Sequence, residues 1–232
     1  MNFFSHAARF LDADPLFVAG TAVPDWLAMI DRPARVRRAA AVEQCSATDP
    51  AARELARGIA QHFTDDEWFH QSPAFAELQV ALTRQLADRL GGETRFRPHF
   101  VAHIVIEMLL DASLAEVTPA GLARYYSRMT QVDPERLQSL VNQLAARPTT
   151  RLAEYLPRFI HEGFLHDYAR DEGIAYRTNR ILAAAGLPAM PATFPEWVAA
   201  ARSTVWEGRA GLLDPPTGHP RFELAGSSGK LN

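Results

Sequence analysis

Two runs of this chain set imidazoles and carboxylates one helical turn apart. In HFTDDEWFH, His62, Asp66 and His70 recur at steps of four, and in HFVAHIVIEMLLDASLA so do His99, His103, Glu107 and Asp111. Steps of four stack side chains on one helix face, so His62, Asp66 and His70 are expected to share a space, while Asp65 points elsewhere. Each step also rotates about 40° around the axis, so two or three neighbours on the second helix can share one site. His103 and Glu107 fall among Val, Ile, Met and Leu, where an unpaired ionisable group is costly to desolvate. A divalent cation satisfies such a mixture, removing the repulsion between carboxylates and filling the lone pairs. A buried hydrogen-bond network is the other use of the same residues.

Further donors lie upstream. His6 sits among Phe3, Phe4 and Phe10, and Asp25 follows Gly20 and Pro24, where taken alone it reads as a helix N-cap. Two groups of arginines stand out, Arg32, Arg35, Arg37 and Arg38 after Asp25, and Arg177 with Arg180 in the run YRTNR. Arginine binds phosphate bidentately, so either set suits a phosphodiester or an acidic carrier protein, against the plainer reading of a solvated charged face. The adjacent pair His166-Asp167 and the nearby His161 are expected to decorate a polar face. The single cysteine, Cys45, can form no internal disulfide and reads as a structural or surface thiol.

The elements that must hold these residues are helices almost throughout, from the apolar residues at three- and four-residue steps. A first helix is predicted over Met1 to Leu11, closed by Asp14-Pro15, and a turn from Ala19 leads into a short second helix at Trp26. Further helices are predicted over 51–70, from Ser72-Pro73 to Gly91-Gly92, and over 99–115, this last apolar all round and therefore central. Thr118-Pro119, Asp133-Pro134 and Thr149-Thr150 punctuate the next ones. A helix over 151–168 should be kinked by Pro157, and two more follow over 171–185 and 195–213. This predicts a single all-helical domain over residues 1–214 and a flexible tail over 215–232, rich in Pro, Gly and Ser.

Composition narrows the partners. With 47% hydrophobic and 22% charged residues the chain can bury a substantial core, and a net charge of −3 gives no general pull toward nucleic acid or anionic membrane. The start lacks the basic and apolar regions of a signal peptide, and no stretch reaches the roughly 20 apolar residues of a membrane helix. No nucleic-acid or membrane partner is expected, and a cytoplasmic location is.

Four motifs, MNFFSH, AGTAVPDW, GIAQHFTDD and FLHDYARDEGIAYRTNRILAAAG, occur in an order that resembles the acyl carrier protein phosphodiesterase family across roughly residues 1 to 187. That resemblance implies an all-α fold of HD-phosphohydrolase type, a divalent metal (manganese or magnesium), and hydrolysis of the phosphodiester that joins phosphopantetheine to acyl carrier protein. It places His6, Asp25, His62 and Asp66 in the site. The chain departs from the family on the apolar helix, offering His99, His103 and Glu107 where aspartates and an Asp-His pair are usual, which moves metal preference from magnesium toward zinc, manganese, iron or nickel. In donor types and order the set is also similar to the zinc-dependent phospholipase C and nuclease family. The expected site is therefore metal held by His6, Asp25, His62, Asp66, His103 and Glu107, with Asp66 and Asp25 as the catalytic carboxylates and Arg177 and Arg180 on the substrate phosphate. Whether His70, His99 or Asp111 joins it is left open by spacing, as are the alternatives of a nucleotide or phospholipid hydrolase and of a non-catalytic helical protein.

Overall fold

The computed structural model describes residues 1–220, which are 74% helical with no strand among them. The helices are α1 (Phe3–Ala7), α2 (Pro15–Gly20), α3 (Val23–Ile30), α4 (Arg38–Gln44), α5 (Pro50–Gln71) and α6 (Pro73–Arg89). They continue with α7 (Pro98–Val117), α8 (Pro119–Met129), α9 (Pro134–Leu144), α10 (Leu152–Glu162), α11 (Asp171–Ala184) and α12 (Phe194–Leu212). No described helix is long and apolar enough to cross a membrane.

Acidic or hydroxyl residues before proline open many of these helices. Asp14, Asp49, Ser72 and Asp133 each accept a backbone N–H from the first turn, at 2.7–3.1 Å, with proline in the position where a missing N–H costs nothing. Asp14-Pro15 thus starts α2 and does not end a longer first helix: α1 stops at Ala7, and Pro15–Gly20, expected in part as turn, is helical. Asp25 is not an N-cap either. It lies in the first turn of α3, whose cap residue is Ala22. Pro157 falls inside α10 as expected, and that helix ends at Gly163 in the left-handed conformation (φ 53°). The tail expected from residue 215 falls mainly on residues 221–232, outside the described residues.

The described residues divide into two compact units. The first comprises residues 3–67 and 118–164 and is organised around the ring of Phe159. Trp26, Phe164, Tyr126 and Phe3 approach that ring with centroids 5.1, 5.4, 5.6 and 5.7 Å away. Phe4 adds an edge contact to Tyr125 at 6.0 Å. Large aromatic surfaces packed edge to face fix the short helices α1 and α3, which carry His6 and Asp25 and are too short to be stable alone.

Within the same unit α2 crosses α5 with no side chain between them. A Cβ on Gly58 would lie 2.1 Å from the Phe17 carbonyl oxygen and 3.0 Å from Gly20 Cα, and one on Gly20 would lie 2.5 Å from the Leu55 carbonyl oxygen. The second unit comprises residues 1–2, 68–117 and the described residues from 165 onward. There α7 is packed by α6, α11 and α12, which explains its apolar sequence on all sides.

Gly58→Ala is expected to lower unfolding free energy by roughly 1–3 kcal/mol or more, because backbone must move to admit the methyl group. Gly208→Ala in α12, where a Cβ meets nothing within 4 Å, should be neutral or stabilising by up to about 1 kcal/mol. Urea melts of the two variants check this; equal midpoints would mean that the helices do not touch at Gly58.

Candidate metal centre

The helix crossing at Gly58 positions the first candidate ligand. One turn further along α5, His62 is buried, and its Nδ1 lies 2.9 Å from the carbonyl oxygen of Thr21, the residue after Gly20. A carbonyl only accepts, so Nδ1 carries the proton and Nε2 keeps its lone pair. That lone pair faces Asp66 Oδ2 at 3.5 Å and Asp25 Oδ1 at 4.0 Å. A ligand histidine is typically held in this way, with its second nitrogen bonded to backbone or carboxylate.

His6 completes the group from α1. It is fully buried, its ring lies 4.1 Å from that of His62, and its Nε2 is 3.3 Å from Asp66 Oδ1. Its Nδ1 lies 3.5 Å from Asp65 Oδ2. Asp65, expected to face away, is therefore a member of the site's support. It is completely buried, accepts from Gln61 Nε2 at 2.9 Å, and is paired with the buried Arg9 at 2.5 Å. His6 enters between two adjacent positions of α5, so it meets both carboxylates, which a single stripe along the helix does not anticipate.

The electrostatics follow from this packing. Burial works against a charged His6, but Asp65 and Asp66 on its two sides overcome it and raise its pKa to about 9. Burial and the neighbouring His6 push His62 the other way, down to about 3, so it stays neutral with Nε2 available. Asp65 and Asp66 are held below the usual carboxylate range despite burial by the cationic groups beside them, His6 among them.

One atom each from His6, Asp25 and His62 lies within 4.8 Å of the others, and Asp66 touches both rings. Ligands about 2.1 Å from one ion are about 3.0–3.4 Å apart, so the Asp66 contacts at 3.3 and 3.5 Å are close to ligand-to-ligand edges. A charged pair in direct hydrogen bonding would be nearer 2.7–2.9 Å, roughly. Two carboxylates and two neutral imidazoles also balance one dication. Asp25 and Asp66 are about one-third exposed, so the carboxylate side of the group opens to solvent while both rings are shut away.

His103 and Glu107 belong to a second group, with His70, in the other unit. The six expected ligands therefore fall into two sets, four in the first unit and two in the second. His99 is exposed, its carbonyl accepting from Gln79, while Asp111 is buried within α7. Arg177 donates twice to Asp167, at 2.5 and 2.8 Å, and the exposed Arg180 contacts the Tyr176 hydroxyl at 3.3 Å. His166 is exposed, as expected of a polar face. Arg32, Arg35, Arg37 and Arg38 are all exposed too, with Arg38 paired to Glu67. Arg9, Thr21, Gln61 and Asp65 were not visible as site residues in the sequence. The adjacency of Asp65 to Asp66, and of Thr21 to Gly20, was the available signal.

No known protein family, characterised protein or solved structure matches this chain.

Asp65→Asn should destabilise the protein by roughly 3–5 kcal/mol by leaving Arg9 buried without its anion. It should also weaken zinc binding by about 10–100-fold, because His6 loses its orienting partner. Thermal melts and calorimetric zinc titration of this variant check both; full affinity would show that Asp65 does not support His6. A second expectation concerns pH in chelator. His6 is raised in the fold, so its contribution is fully present below about pH 6.5 and is lost as pH rises through about 9. His6→Gln should flatten the decline in melting temperature over that window, and an unchanged slope would contradict it.

Proposed function

We propose that the chain is a metal-dependent phosphoric-ester hydrolase, a phosphodiesterase of HD-like helical type resembling acyl carrier protein phosphodiesterase. One observation supports it above the others: His62 is clamped by Thr21 so that its Nε2 faces Asp25 and Asp66, with the His6 ring beside it. Three helices thus bring four residues, two histidines and two aspartates, together: His6, Asp25 and His62 around one point, with Asp66 against both rings. Mixed imidazole and carboxylate ligation suits manganese, zinc or iron, with magnesium a weaker fit because it prefers all-oxygen sites.

A bound dication supplies Lewis acidity, making water a nucleophile near neutral pH and offsetting charge on phosphoryl oxygens. The protein's part is positional. Asp25 and Asp66 hold the solvent-facing side, where a phosphodiester can approach, and His6 and His62 close the interior side against water. Arg177 and Arg180 have no step in this scheme, since Arg177 is committed to Asp167. The exposed arginines at 32, 35 and 37 supply the positive surface that an acidic carrier protein would meet.

A second reading, a buried non-catalytic network, is favoured by one specific observation: His6 already sits between Asp65 and Asp66, with Arg9 behind. The two readings diverge on metal. Purified protein should carry transition metal, lose thermal stability on chelation, and hydrolyse bis(p-nitrophenyl) phosphate with manganese or zinc restored. Holo acyl carrier protein run alongside tests the narrower substrate. Asp66→Asn should lose turnover and the metal held by this group together while remaining folded. A protein that binds none of these ions, and whose melting ignores chelator, would leave the network reading standing and end the hydrolase one.

A further inference from the structure

The second unit holds another convergence of ligands, independent of the proposed hydrolase site. His70, in the last turn of α5, and His103 on α7 stack with centroids 5.0 Å apart and planes 9° from parallel. Their Nε2 atoms both point at one oxygen of Glu107, Oε1, at 3.1 and 3.4 Å. The Met1 amino group reaches the same atom at 3.0 Å. A carboxylate oxygen has two lone pairs, so three N–H donors cannot all be served well there. If each imidazole instead turns a lone pair inward, two nitrogens and one oxygen face a common point.

The geometry is already that of a ligand set. Two atoms about 2.1 Å from a tetrahedral ion lie about 3.4 Å apart, and the two Nε2–Oε1 separations are close to that edge. All three ligand atoms lie within 4.8 Å of one another. Their supports are rigid. Phe75 stands edge-on to both rings, at 5.0 and 5.2 Å, and is itself fixed by the Ser72 cap of α6, whose hydroxyl accepts from the Phe75 N–H. His103 and Glu107 are one turn apart on a helix packed on several sides.

We propose that His70, His103 and Glu107 form a second transition-metal site, with two imidazoles, one carboxylate and at least one position open to solvent. His70 and His103 are about one-third exposed and Glu107 is 16% exposed, so the coordination sphere is closed by protein on one side only. Three protein ligands with an open fourth position characterise catalytic rather than structural zinc. Two nitrogens to one oxygen select zinc, cobalt, nickel or iron over magnesium and calcium. The site therefore differs from the carboxylate-richer group around His62 in composition.

Cobalt(II) is the probe, titrated into full-length Asp66→Asn protein, where the first group has lost a ligand. Calorimetry and visible d–d absorption are expected to show one equivalent bound with zinc able to displace it. Adding His103→Ala should then weaken cobalt binding by at least about a hundredfold, more than loss of an orienting partner costs. Glu107→Gln keeps the shape and should weaken it similarly, deciding the matter if His103→Ala does not fold, as judged by circular dichroism. The proposal is overturned if the Asp66→Asn protein takes up no cobalt, or if folded His103→Ala and Glu107→Gln variants bind it unchanged. Asp66→Asn alone, read by metal content and turnover, reports on the hydrolase site, so either can fail without the other.

Discussion

Where two helix backbones touch, everything hung on them inherits their precision. In the first unit the touching point is Gly20 against Gly58, and the hydrogen bond from His62 to the Thr21 carbonyl is its direct consequence. Any side chain at either glycine would push α2 off α5, and the Thr21 oxygen would leave the reach of Nδ1. Without that acceptor the His62 tautomer is undefined, and a buried ring could as well turn a proton as a lone pair toward Asp25 and Asp66. Two residues with no side chain thus determine the chemistry available to a third.

The second constraint is charge. Burying two imidazoles in ring contact tolerates one proton between them more readily than two, and the carboxylates decide which ring takes it. Asp65 and Asp66 flank His6, so His6 is the cationic ring and His62 the neutral one. Arg9 compensates the other side of Asp65. The group is in this way a network in which His6 supplies the positive charge between two carboxylates. On the proposed reading, uptake of a dication would release the His6 proton, and metal and proton would compete for the same nitrogen.

Much of this was legible in the sequence. Acid-proline and serine-proline pairs marked helix starts because capping and a missing N–H are local matters. The all-round apolar run over α7 announced a helix packed on several sides. His62 and Asp66 shared a face, as their spacing required. What escaped depends on approach from outside the helix. His6 arrives between positions 65 and 66, so Asp65 joined a site that helical periodicity alone assigned to its neighbour. His70 was placed on the His62 stripe by counting fours, yet two such steps rotate about 80° around the axis. That drift turns His70 toward α7 and gives it His103 and Glu107 as partners. The division at Ala7, ending a helix expected to reach Leu11, had no signal of its own, since α1 owes its existence to Phe3 and Phe4 in the aromatic cluster.

The two ligand groups apply one chemical vocabulary to different ends. Around His62 the carboxylates outnumber what the neutral ring needs, and the excess negative charge is met by His6, Arg9 and, in the functional reading, by a dication. Around Glu107 a single carboxylate faces two imidazoles and an amine, so the excess lies with nitrogen donors. Desolvating a carboxylate pair is tolerable only with a strong cation nearby, and the lone Glu107 carboxylate has the Met1 amine in that place. The first group therefore couples folding to charge through its protons, while the second combines the Met1–Glu107 ion pair with packing through Phe75 and the stacked rings.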